Sequence, residues 1–175
     1  MADLETALKS KIRSIPDYPK KGILFRDITP LLKDPVSFRA CIDALAAQFS
    51  DAGVDHVAGI EARGFILGGA LAEKLGAGFV PIRKKGKLPS RKISIDYELE
   101  YGKETIEVHE DAVEKGSRVL IADDLLATGG TAEASGRLMQ KIGADIVGYA
   151  FLVELVGLKG RDRLGAVRVV SLVKY

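Results

Sequence analysis

The run Val119-Leu120-Ile121-Ala122, set between Arg118 and Asp123, constrains this chain most. A strand built on it has no polar face to offer water, so it must be covered on both sides, as central strands of parallel sheets are. Its surroundings predict the cover. Thr131 to Ile142 reads as a helix with Gly143 at its C-terminal end. Upstream, Phe38, Ile42, Leu45 and Phe49 are spaced four, three and four apart, which is one helical face. Asp34 before Pro35 predicts an N-cap with proline in the first turn. Val57 to Ile60 reads as a short buried strand, Phe65 to Leu75 as a helix ended near Gly76, and Phe79 to Ile82 as a strand. Ile146 to Val153 and Val167 to Val173 supply two more. Strands separated by helical segments of this length predict a single α/β domain, its central sheet mostly parallel and flanked by helices. The 175 residues suit one domain on the usual prior of roughly 150.

Composition then removes several classes of function. Lys plus Arg is 26 and Asp plus Glu is 24, a net charge of +2, too balanced for a polybasic nucleic-acid or membrane module. A hydrophobic fraction of 47% excludes a disordered chain. The single cysteine, Cys41, permits no internal disulfide, falls on the apolar helical face, and fits a reducing compartment. Apolar stretches fall short of the roughly 18 residues a spanning helix needs. The start Met1-Ala2-Asp3-Leu4-Glu5 lacks the layout of a signal peptide. The expectation is a cytoplasmic chain with neither nucleic acid nor membrane as partner.

One segment breaks the alternation. Arg83-Lys84-Lys85-Gly86-Lys87-Leu88-Pro89-Ser90-Arg91-Lys92 is cationic and punctuated by glycine and proline, which predicts a mobile surface loop. Ile93, Ile95, Tyr97 and Leu99 then alternate, as in a strand or hairpin arm.

The chemistry gathers where the apolar run ends, in Asp123-Asp124-Leu125-Leu126-Ala127-Thr128-Gly129-Gly130-Thr131. Glycines let several backbone N–H groups turn onto one anion, the helix that follows adds its positive end, and two threonine hydroxyls donate further bonds. This is a phosphate cradle. It is not the lysine-containing loop of nucleotide hydrolases, which the sequence lacks. It is not the dinucleotide fingerprint either, since Pro81 stands where Gly76-Ala77-Gly78 would need a third glycine. Asp123 and Asp124 would repel a polyphosphate lying directly on them, whereas ribose hydroxyls donate to carboxylates. The stretch therefore reads as a ribose-5-phosphate site.

Asp123 to Thr131 resembles the phosphoribosyl-diphosphate motif of the type I phosphoribosyltransferases, and the chain from about Ile12 to near Arg161 is similar to their adenine-using branch. Ile15-Pro16-Asp17-Tyr18-Pro19 and Gly22-Ile23-Leu24-Phe25-Arg26-Asp27-Ile28-Thr29-Pro30 resemble the family's base-covering hood, placed at about residues 1–33. Gly59-Ile60-Glu61-Ala62-Arg63-Gly64-Phe65 resembles its pyrophosphate turn, with Glu-Ala-Arg where members often carry Asp-Ser-Arg and a non-proline cis peptide. Arg83 to Pro89 and Leu99-Glu100-Tyr101-Gly102-Lys103 resemble the two ends of its flap, at about 83–105.

The resemblance implies transfer of a phosphoribosyl group from phosphoribosyl diphosphate to adenine, giving AMP and pyrophosphate. It implies that Asp123, Asp124, Ala127, Thr128, Gly129, Gly130 and Thr131 hold the ribose phosphate. Arg63, Arg83, Lys84 and Lys87 would take the pyrophosphate. Leu24, Phe25, Arg26 and Leu125 would take the adenine, Phe25 by stacking and Leu24 and Arg26 through their backbone. Glu100 would be the general acid/base and Tyr101 a flap residue beside it. No direct metal ligand is expected, Mg²⁺ arriving with the substrate, and the family implies a homodimer. His56 and His109 match no motif and read as structural. A transferase for hypoxanthine, guanine or xanthine lacks support in the hood and flap. A DNA-binding sensor of phosphoribosyl diphosphate is disfavoured because only about thirty residues precede the first long helix, too few for an added DNA-binding domain.

Overall fold

The computed structural model describes residues 2–99 and 102–175. In chain order these form α1 (Ala2–Ser10), β1 (Arg13–Pro16), β2 (Leu24–Asp27), α2 (Thr29–Leu32), α3 (Pro35–Ala47), β3 (His56–Ile60), α4 (Arg63–Leu75) and β4 (Gly78–Lys84). They continue with β5 (Lys92–Leu99), β6 (Gly102–His109), β7 (Arg118–Leu126), α5 (Gly130–Lys141), β8 (Asp145–Glu154), two short 3-10 turns over Val156–Leu158 and Gly160–Arg163, and β9 (Arg168–Lys174).

Among the described residues, seven strands make one sheet in the order β5-β6-β4-β3-β7-β8-β9. The run from β4 through β9 is parallel, and the antiparallel hairpin β5–β6 is hung on the end of β4. β1 and β2 form a separate antiparallel ribbon. The alternation along each strand explains the layering. On β3, Val57 packs with α3 and α4 residues such as Leu45 and Leu67, while its neighbour Ala58 packs on the other face with Leu138 and Met139 of α5. On β7, Leu120 and Ala122 go to the first cluster, Val119 and Ile121 to the second. The strand read as covered on both faces is so covered.

Element ends differ from the expected ones in instructive ways. β7 runs on to Leu126, through both acids, because its parallel pairing with β8 continues to Leu126 opposite Glu154. Asp34 precedes α3 with extended backbone, yet its carboxylate accepts from the Ser37 hydroxyl at 2.7 Å and caps no backbone N–H. Gly76 ends α4 in the left-handed conformation at φ +68°, as its position predicted. Arg83 and Lys84, expected in a loop, are the last residues of β4, held by pairing with Glu107 and Ile106 of β6. Short elements escaped the pattern: α1, α2, β1 and β2 are too brief for a period to register, though Leu8 of α1 is 1% exposed. Cys41 lies in the first cluster, where burial pushes its thiol up to about 12.

The chain leaves β3 for β4 on one side and returns to β7 on the other. That reversal parts the two connections at the carboxyl ends of β3 and β7 and opens a crevice between them, the place where open α/β sheets bind ligands. No helix among the described residues is long and apolar enough to cross a membrane.

Ile121 is fully buried where β7 meets α5. Ile121→Ala should destabilise the fold by about 2–5 kcal/mol. Urea unfolding checks it, as a lower midpoint with an unchanged slope.

Candidate active site

The crevice is a cavity of about 310 Å³ lined by Glu61, Ala62 and Arg63 after β3, Lys84 of β4, Tyr97 and Glu104 of the hairpin, Asp123, Asp124 and Leu125 of β7, and Thr131 of α5. The alternation that layers the core also deals out its two acids. Asp124 follows Leu120 and Ala122 on the α4 side, where Arg63 at the start of α4 meets it at 3.0 Å. Asp123 follows Val119 and Ile121 on the α5 side, and its Oδ1 accepts from the Asp124 backbone N–H at 2.8 Å. Burial, and then the charge of Asp124, push the Asp123 carboxyl well above the usual carboxylate range. Burial also raises Asp124, and the Arg63 guanidinium pulls it back.

Beyond β7 the chain closes a second cavity of about 160 Å³, lined by Asp123 and by Leu125 through Ala132, which shares Asp123, Leu125 and Thr131 with the first. Two glycines shape it. Gly129 has φ +83°, and a Cβ there would stand 2.3 Å from the carbonyl oxygen of Gly160. Gly64 lets α4 approach β7, since its Cβ would stand 2.8 Å from Asp123 Oδ1. The peptide bond between Glu61 and Ala62 is cis.

The cations arrive paired. Arg83 Nη2 and Nε reach the Glu61 carboxylate at 3.2 and 3.3 Å, and the Lys84 backbone N–H donates to it at 2.9 Å. The Arg83 hydrogen bond holds the Glu61 carboxyl below its usual range. Lys84 Nζ lies 2.9 Å from Glu104. Arg83 and Lys87 stand outside the residues that line the cavity. The exposed Lys87 is folded back by bonds between Lys84 and Lys87 and between Arg83 and the Lys87 carbonyl.

Of the residues expected to take the base, Phe25 is half-buried, edge-on to Tyr18 at 5.1 Å, with the Arg63 guanidinium 5.1 Å from its ring centre. Leu24 is exposed, and Leu125 lines the cavity floor beside the acids. Arg26 donates to the Ser14 hydroxyl and lies 3.6 Å from the centre of the Tyr175 ring. Glu100 and Tyr101 lie outside the described residues. His56 and His109 are not among the residues lining the cavity, and His109 Nε2 is 2.7 Å from the Pro89 carbonyl.

A family model described as a phosphoribosyl transferase domain matches residues 28–174. The chain belongs to the phosphoribosyltransferase family. An adenine phosphoribosyltransferase of Methylobacterium sp. (strain 4-46) is 58% identical over 172 residues, covering 97% of this chain and 95% of that protein. The crystal structure of the adenine phosphoribosyltransferase of Rhodothermus marinus DSM 4252 superposes with a TM-score of 0.95 at 53% identity, covering all of both chains. That of the Saccharomyces cerevisiae enzyme, complexed with an imino-altritol bisphosphate and adenine, gives 0.93 at 40% identity over 98% of this chain and 99% of that one. These likenesses set the chain within the adenine phosphoribosyltransferase branch of the family, whose members are transferase enzymes.

Four residues of this phosphoribosyltransferase site were not singled out from sequence. Glu61 enters the sequence pattern only as a departure in its motif, Tyr97 only as one member of an alternating series, and Glu104 belongs to no motif. Gly160 lies in a segment without diagnostic pattern. A Cβ on it would stand 2.2 Å from the Ala127 carbonyl oxygen, so it packs directly against the Thr-Gly-Gly-Thr loop. The signal for Glu104 was available, for it precedes buried Ile106 and Val108 at a spacing of two.

Asp123→Asn removes a carboxyl whose pKa the fold raises. Between the ordinary Asp value of about 4 and the raised one, the folded chain binds more protons than the unfolded, so this group's contribution to stability declines as pH rises through that window. At about pH 8 the ligand-free variant should melt about 2–4 °C above wild type, for a gain of ~1 kcal/mol. The difference should shrink towards about pH 4. Calorimetry at the two pH values measures it.

Proposed function

We propose that the chain is a purine-salvage enzyme that transfers the 5-phosphoribosyl group from phosphoribosyl diphosphate to adenine, giving AMP and pyrophosphate. The observation that carries this reading is the pair of joined cavities, one bearing two acids with Arg63 and Lys84, the other wrapped by the Thr-Gly-Gly-Thr loop. In this reading the 5′-phosphate lies in the smaller cavity against Ala127, Thr128, Gly129, Gly130 and Thr131. The ribose hydroxyls donate to Asp123 and Asp124. The bound adenine in the Saccharomyces cerevisiae structure supports adenine as the base.

As the ribose C1–O bond breaks, positive charge grows on the sugar and negative charge on the departing pyrophosphate. Fixed charges aimed at those atoms, in a site closed to water, lower that barrier. Arg63 and Lys84 face the leaving group, and Arg83 and Lys87 add charge from behind Glu61. The acids Asp123 and Asp124 lie where the positive sugar develops. Phe25 stacks on the base, Leu125 packs against it, and the backbone at Leu24 and Arg26 reads its edge. Glu100 exchanges a proton with the imidazole ring of adenine, worth about 10²–10⁴ in rate, and Tyr101 orders the flap. Residues 1–33 serve as hood and 83–105 as a flap that excludes water on closing.

Among the described residues no group of three or more His, Cys, Asp or Glu side chains could hold a metal ion. Asp123 and Asp124 nevertheless offer hard oxygen donors on the cavity wall, which fits a Mg²⁺ that keeps its waters and comes bound to substrate oxygens. Such an ion, when bound, offsets charge on the diphosphate. A cytoplasmic homodimer completes the reading. Val36 of α3 and Ile66 of α4, 75% and 47% exposed, are consistent with a covered face there.

Incubation with phosphoribosyl diphosphate, Mg²⁺ and each purine base in turn should yield AMP from adenine and no nucleotide from guanine, hypoxanthine or xanthine. The double change Asp123→Asn with Asp124→Asn should reduce turnover by at least about a hundredfold while circular dichroism stays that of a folded chain. Wild-type turnover would remove the acids from the site. Glu100→Ala should lower kcat by about 10²-fold or more and change the adenine KM little. An unchanged kcat would return Glu100 to the surface.

A further inference from the structure

The strands that build the crevice end in charged residues on faces that are apolar further down. On β4, Val80 and Ile82 are buried and Lys84 continues their face. On β6, Ile106 and Val108 are buried and Glu104 precedes them on theirs. A period of two therefore sends both charges to the cavity side of the sheet, at the level where the core stops. Register then joins them. Lys84 is level with Ile106, two residues from Glu104, and Glu104 directly faces Tyr97 across the hairpin.

Both carboxylate oxygens of Glu104 are engaged. Oε1 lies 2.9 Å from Lys84 Nζ, and Oε2 accepts from the Tyr97 hydroxyl at 2.9 Å. The Tyr97 oxygen in turn accepts from the Thr131 hydroxyl at 3.2 Å. The chain Lys84–Glu104–Tyr97–Thr131 thus crosses the cavity wall from the end of β4 to the start of α5, where the Thr-Gly-Gly-Thr loop ends, and all four residues line that wall. The Lys84 ammonium beside it holds the Glu104 carboxyl below its usual range, so the acid is charged when a diphosphate arrives.

We infer that Glu104 is a resident counter-ion that competes with pyrophosphate for Lys84 and so limits how tightly the leaving group is held. The inference rests on the reading of Lys84 as a pyrophosphate ligand. A diphosphate reaching Lys84 must displace or share the carboxylate already there, and its own charge is repelled by that carboxylate. The grip on pyrophosphate is weakened, which favours its release once the bond to ribose is broken. Tyr97 is a positioning residue for this acid: its hydroxyl fixes one oxygen so that the other points at Lys84.

Glu104→Gln tests this, since it keeps the shape and an oxygen for Tyr97 but removes the charge. The pyrophosphate dissociation constant, measured by titration calorimetry on the full chain, should fall about two- to fivefold. The adenine KM should not move. A gain in affinity is not what a loosened fold gives, so the direction separates competition from damage. Glu98→Gln removes the same charge from an exposed position on the same hairpin and should leave pyrophosphate binding as it is. Unchanged or weaker binding in Glu104→Gln overturns the inference, as does equal tightening in Glu98→Gln. Lys84→Met separates the two layers. If it leaves pyrophosphate binding intact, the leaving-group assignment itself fails. If it weakens binding while Glu104→Gln changes nothing, that assignment stands and the competition falls.

Discussion

Two carboxylates side by side at the end of an apolar strand repel each other and resist burial, and the site is organised around making that arrangement tolerable. Arg63 at 3.0 Å from Asp124 is the principal counterweight. It reaches that position only because Gly64 lets the start of α4 come against β7. The same arginine lies over the Phe25 ring, so one side chain connects the acids, the turn after β3 and the β1–β2 ribbon. The reversal of strand order between β3 and β7 makes the meeting possible, because it brings the loops after those two strands to a common gap.

The rest of the charge follows the same logic. Arg63 carries Asp124, Arg83 carries Glu61 and Lys84 carries Glu104. A cluster of unpaired cations would repel itself and would bind any anion it met. Pairing each with a carboxylate leaves little excess charge among these six side chains, and under the proposed function it would make anion binding an exchange of partners. Exposure grades the strength of these pairs. The Asp124 and Glu61 side chains are 7% and 16% exposed, whereas Lys84 and Glu104 are 55% and 34%, so the last pair is screened most by solvent.

Much of this was legible in the chain because periodicity and glycine leave clear marks. The apolar run before Asp123 marks the central strand, and the Thr-Gly-Gly-Thr turn marks the loop that encloses the smaller cavity. Arg63 and Lys84 were found through motifs and stand in the cavity wall. The reading was less exact where tertiary pairing overrides local pattern. Arg83 and Lys84 look like loop residues beside Gly86, yet pairing with β6 makes them strand. Glu61 and Glu104 owe their ion pairs to partners 22 and 20 residues away, which no local window reports, although the spacing of Glu104 before Ile106 and Val108 and of Tyr97 after Ile93 and Ile95 marks the faces they share. Gly160 is the extreme case. Its role is to come within contact of Ala127 and Gly129, a requirement set wholly by a loop far upstream.

That contact shows how the last part of the chain serves the site without entering it. The first 3-10 turn begins just after β8, where the Leu155 N–H donates to the Leu126 carbonyl at 2.9 Å and ties the two strand ends together. Arg161 then grips Glu154 at the end of β8 through two hydrogen bonds of 3.1 and 2.6 Å, and donates to the Val169 carbonyl of β9 at 2.7 Å. Glu154 is 5% exposed, so the pair is shielded from solvent on its acidic side. Gly160, the residue before Arg161, is thereby held against the Thr-Gly-Gly-Thr loop. The loop needs this support because its own residues include Gly129 at positive φ, which has no side chain to pack. A flexible turn becomes defined when rigid backbone lies directly beneath it, and here an ion pair between the second 3-10 turn and the end of β8, shielded on its Glu154 side, holds that backbone in place.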